Sequence, residues 1–90
     1  MVKSSSFAEL ANLGPKSEKM LVAAGITSLE QLRKLGSVAA YSKVKHTSSN
    51  ASLNLLWALE GALTGIHWQE VARLHRTSLL LALEEYEQRV

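Results

Sequence analysis

The stretch from Ser52 to Gly65 limits the fold more than any other part of this chain. It reads Ser-Leu-Asn-Leu-Leu-Trp-Ala-Leu-Glu-Gly-Ala-Leu-Thr-Gly. As a helix, it places apolar side chains on nearly every side, and a helix that is apolar all round has to be buried. The chain has 90 residues, so what remains must be wrapped around this one segment. Gly61 in mid-helix costs about 1 kcal/mol relative to alanine, which points to close approach by another helix there. The candidate core is Leu53, Leu56, Trp57 and Leu63 from this segment, with Leu13, Leu21 and Trp68 from the segments flanking it.

The remaining sequence is dense in helix punctuation and nearly free of strand signals. Ser6-Phe7-Ala8-Glu9 has the spacing of a capping box and starts a short helix over about Phe7 to Ala11. Pro15 sits where a first helical residue belongs, since its missing N–H has no partner there in any case. The helix it opens stops at Gly25, which can take the left-handed cap conformation. Thr27-Ser28-Leu29-Glu30 reads as a second capping box for a helix to Leu35, closed by Gly36. Ser37 is placed to cap a further helix through Val38, Tyr41 and Val44 to about Lys45. His46 to Asn50 reads as a loop inside one domain. After Gly65 the pattern gives a short helical turn, with His67 as its cap and Trp68 in the core. A last helix follows over about Leu74 to Gln88, with Leu79, Leu80, Leu83 and Tyr86 inward and Glu84, Glu85 and Glu87 largely outward. The expected fold class is all-α, about five helices in a small single domain spanning residues 1–90.

Composition excludes several function classes. There is no cysteine, so disulfides, thiolate metal sites and a cysteine nucleophile are ruled out. His46, His67 and His75 lack metal-ligand spacing, and neither a Gly-x-Ser-x-Gly, a Walker loop nor a His-Glu-x-x-His occurs. Glu60 is the one acid inside the apolar helix, and a helix terminus or an arginine is its expected partner rather than a substrate. No catalytic residue, cofactor or metal is expected. The longest apolar run, Leu79 to Leu83, is far short of the roughly 20 residues that span a bilayer, so a cytoplasmic domain without a membrane partner is expected. Charge is unevenly spread: residues 1–50 carry seven lysines and arginines against three glutamates, and the rest carry three arginines against five glutamates. A basic half can meet phosphates or an acidic partner, though it also serves as an ordinary solvated surface.

Residues Leu10 to Ile26 resemble a helix-hairpin-helix motif, in which a Gly-hydrophobic-Gly turn lies against a nucleic-acid phosphate. Here Gly14 stands as the second glycine, Leu13 as the buried anchor, and Lys16 with Lys19 as candidate phosphate lysines. A helix start with free N–H groups is an anion site. The departure is Asn12 where the first glycine belongs, and Pro15 removes one donor. Asn12, Gly14, Lys16 and Lys19 are therefore candidate DNA contacts, and the same residues also suit a plain interhelical turn. Both Gly14 and Gly25 are expected to have positive φ or a close backbone approach.

A wider resemblance rests on Leu-Gly-Pro-Lys-Ser at 13–17, Ala-Gly-Ile-Thr-Ser-Leu-Glu-Gln-Leu at 24–32, Leu35-Gly36, Ala40-Tyr41, the 52–65 block quoted above, and His67-Trp68. Over about residues 8–84 the chain resembles the C-terminal domain of the TfoX/Sxy family of regulators of competence for DNA transformation. The resemblance implies a small helical fold without catalytic residues, acting in competence regulation through a transcription-related protein partner. Weak, sequence-independent DNA binding through Asn12 to Lys19 is the alternative.

Overall fold

The computed structural model describes residues 13–47 and 51–89. Every regular element among them is an α-helix: α1 Pro15–Ala23, α2 Leu29–Thr47, α3 Leu53–Thr64, α4 Trp68–Leu74 and α5 Arg76–Arg89. The all-α expectation holds. The short helix expected over Phe7 to Ala11, its capping box and Asn12 lie outside the described residues.

α3 is the hub, packed between α2 and α4, while α1 and α5 pack against α2. Leu55, Leu56, Trp57, Ala58 and Leu59 are buried in succession, more than a full helical turn, so α3 is covered in every direction at its middle. Leu13 and Leu21 are buried in the same cluster, and Leu63 and Trp68 are partly buried at its edge. Leu53 corrects the expected core, because it is 37% exposed. It is the first residue of α3, in a first turn where Ser52 and Asn54 are exposed too. The periodicity of the segment gave no hint that its first turn is less covered than its middle.

The helix ends show what the punctuation does. α1 closes as expected at Gly25, whose φ is +89°. The Ile26 N–H donates to the Leu21 carbonyl at 2.9 Å and the Gly25 N–H to that of Val22 at 2.9 Å, the paired bonds of a Schellman cap. Ile26 and Leu21 are both fully buried, so the cap also feeds the core. Gly14 is otherwise, with φ −110° and ψ −174° and open space where a Cβ would stand. The expectation of a left-handed or crowded Gly14 is overturned, and Pro15 supplies the reason: a residue before proline is pushed to extended backbone.

The start of α2 is capped one residue later than its sequence suggested. Ser28 Oγ accepts from the Gln31 N–H at 3.1 Å, and Gln31 Oε1 accepts from the Thr27 N–H at 2.8 Å. Glu30 takes no part: Ser28 is the cap, and Gln31 reaches back past it to Thr27 in place of the reciprocal bond of a capping box. At Gly36 (φ +83°, ψ +167°) the helix kinks in a region open essentially to glycine alone. The break expected there is present, made without a loop between 29–35 and 37–47. Ser37 does not cap its own helix. It is buried, and its Oγ donates to Glu60 Oε1 of α3 at 2.6 Å.

Two further differences lie at the C-terminal end. The short turn expected after Gly65 is the helix α4, and α5 begins at Arg76 because His75 breaks the path between them. Glu87 was expected outward. It turns instead to α2, accepting from Ser42 Oγ at 3.3 Å and pairing with Lys45 Nζ at 3.4 Å. Ser42 is almost wholly buried, and a buried hydroxyl requires a partner.

Candidate functional site

The hairpin leading into α1 was the region singled out by sequence. Leu13 anchors it in the core at 4% exposure. Gly14 follows in extended backbone as the N-cap, without a side chain capping the first turn of α1. The Glu18 N–H closes the turn onto the Gly14 carbonyl at 3.0 Å. Lys16 and Lys19 stand exposed on α1, and neither is ion-paired with another described residue. They share a shallow concavity with Glu18 and the exposed Val22. The structure thus brings Gly14, Lys16 and Lys19 to one end of one helix, but the backbone there is not that of a glycine cradle.

A second concavity, of about 270 Å³, was not foreseen. Lys16, Ser17 and Met20 form its α1 side, and Ser52, Asn54, Leu55 and Ala58 its α3 side, with Trp68 from α4 at its end. Three segments far apart in sequence make this groove, so no local motif announces it. Trp68 is held by the cap that precedes it: His67 Nδ1 accepts from the Gln69 N–H at 3.1 Å. The two rings stack with centroids 6.0 Å apart. His67 therefore does the capping expected of it. A third concavity lies between the end of α2 and α5, lined by Lys43, His46 and Tyr86 beside the Ser42–Glu87–Lys45 network. Next to it, burial pushes the Tyr41 hydroxyl above its ordinary pKa of 10.0, Lys45 opposing the shift and Glu87 adding to it. No group of three or more potential metal ligands occurs among the described residues, and no helix there is long and apolar enough to cross a membrane.

A family model, the TfoX C-terminal domain, matches residues 3–83. The chain belongs to the TfoX C-terminal domain family. Among curated proteins, it is 34% identical over 77 residues to the DNA transformation protein TfoX of Haemophilus influenzae, covering 86% of this chain and 36% of that one. It is 30% identical over 73 residues to the DNA transformation protein TfoX1 of Aliivibrio fischeri, covering 80% and 35%. The chain thus spans about a third of the length of these relatives. Two crystal structures from Listeria monocytogenes share the fold. One, of an uncharacterized protein in a triclinic form, has a TM-score of 0.78 at 30% identity, covering 92% of this chain and 94% of that one. The other, of a protein of unknown function in a tetragonal form, has a TM-score of 0.70 at 32% identity, covering 84% and 98%. In this TfoX C-terminal domain the Ser52–Gly65 block is the hub helix, and His67-Trp68 is the cap and edge of its core.

Proposed function

We propose that the chain is a non-enzymatic regulatory module of DNA transformation, one domain over residues 1–90, acting in the cytoplasm through contact with a transcription-related protein. Its likeness to two DNA transformation proteins over most of its length supports the regulatory role. The choice of protein over DNA rests on one observation. Gly14 is extended and Pro15 has no N–H, so the hairpin lacks the paired backbone donors that a phosphate cradle uses. The second reading, weak DNA binding through Asn12 to Lys19, draws support from Lys16 and Lys19, neither of which is ion-paired with a described residue.

A gel-shift series over salt, with and without a purified transcription factor of competence genes, separates the two. The protein-contact reading expects no shift of duplex DNA by the chain alone near physiological salt, and a further shift once the factor is bound. A shift by the chain alone that weakens with salt supports DNA contact. Its log–log slope falls by about one in each of Lys16→Ala and Lys19→Ala if each lysine neutralises one phosphate. That pattern, with no effect of the factor, overturns the protein-contact reading.

A further inference from the structure

We infer that the groove between α1 and α3 docks an acidic segment of a partner protein that carries an apolar anchor side chain. The inference rests on the protein-contact reading above and names the surface and the chemistry that it would use. Charge carries it. Three other concavities formed by the described residues each hold a carboxylate: Glu18, Glu87, or Glu84 with Glu85. No carboxylate among the described residues lines this groove, and the one ionic group that they give it is Lys16, which is ion-paired with no described residue.

The polar groups around Lys16 point the same way. Ser28 spends its hydroxyl on a helix start, and Ser37 and Ser42 spend theirs on carboxylates of other helices. Ser17, Ser52 and Asn54 line the groove and bond no described residue through their side chains. Beneath them Leu55 and Trp68 give the groove an apolar wall. A cation without a described counter-ion, beside polar donors and an apolar wall, matches a carboxylate with an apolar neighbour. It does not match a polyanion, whose affinity grows with the number of cations that it meets. The walls are set on helices already packed into the core, so little has to be ordered on binding.

The test uses the full chain labelled for amide and indole NMR. Three probes are titrated: a peptide of pattern Asp-Asp-Leu-Leu-Asp-Asp, the same peptide with lysines for the aspartates, and an oligothymidylate of similar charge. The acidic peptide should shift the Trp68 indole and the amides of Ser17, Asn54 and Ala58, and the basic peptide should not. Asn54→Asp should weaken the acidic peptide by about tenfold, the scale of one like-charge contact near a surface. That variant adds an acid to a first turn that has none, which favours the helix, so lost binding is not lost folding. Lys16→Gln should weaken it too, and Lys19→Gln, outside the groove, should not. Absent shifts, equal binding of the basic peptide, or shifts on α5 would overturn the groove and leave the protein-contact reading standing. Binding of the oligothymidylate alone, weakened equally by Lys16→Gln and Lys19→Gln, would overturn both.

Discussion

Leu53 and Leu56 are the same residue type three positions apart on one helix, and the core treats them differently. Leu56 is fully buried, whereas Leu53 is 37% exposed. Leu56→Ala should therefore cost about 2–5 kcal/mol, and Trp57→Ala about 3–5. Leu53→Ala should cost less than either, about 1–2 kcal/mol, because over a third of the residue is already in solvent. Urea melts of the three variants check this, and equal losses at Leu53 and Leu56 would mean that the first turn of α3 is covered after all. Glycines divide in the same manner. Gly36→Ala should cost about 1–3 kcal/mol, since its backbone lies in a region that side chains rarely adopt. Gly14→Ala should be nearly neutral, with extended backbone and open space at the Cβ position. A thermal melt that ranked them in the reverse order would contradict the backbone described here.

Between elements, polar side chains reach from one helix to the next beside the apolar core that joins them. Ser37, at the kink of α2, donates to Glu60 of α3, and Ser42 of α2 donates to Glu87 of α5. That Glu60 needs a partner was legible, because it is an acid inside an apolar helix, but the helix terminus or arginine expected for it is replaced by a serine hydroxyl. That the partner is Ser37 was not, since 23 residues separate them. Hydrogen bonds to charged groups contribute about 1.5–3 kcal/mol. Ser37→Ala and Glu60→Gln, singly and together, should give a coupling energy of about 1 kcal/mol or more in a double-mutant cycle. A coupling near zero in urea denaturation would remove this bond from the list of what fixes α2 on α3. The Lys45–Glu87 pair is a weaker case, since its lysine is half exposed and screened by solvent.

For the whole molecule, the charge asymmetry in the sequence is partly cancelled by packing. Lys45 from the basic half meets Glu87 from the acidic half, while Lys16 and Lys19 on α1 are among the cations without a described counter-ion. The buried Tyr41 gives this packing a pH dependence. Its pKa is raised in the fold, first by burial. Below the ordinary value of 10.0 both folded and unfolded chains keep the proton, and this group is neutral in its effect. Above that value the unfolded chain ionises first, so stability should fall as pH rises through the folded pKa. Urea midpoints of the native chain and of Tyr41→Phe, taken on either side of that range, check it: the variant should lose less at alkaline pH. Equal losses would mean that Tyr41 ionises freely in the fold.

What the sequence determined by itself was what neighbours along the chain decide: the helices, the cap at Gly25, the break at Gly36, the capping role of His67, and the burial of the middle of α3. These depend on hydrogen bonds and periodicity within a few residues, which are written in order along the chain. The register of the cap before α2 was missed by one residue, because Glu30 and Gln31 are both capable caps and only the path of the chain chooses between them. Tertiary structure alone decided that Leu53 stands out of the core, that Glu87 turns inward, and that Lys16, Ser52 and Trp68 share one groove. Each of these depends on which segments meet across many residues, and a linear pattern does not encode that distance.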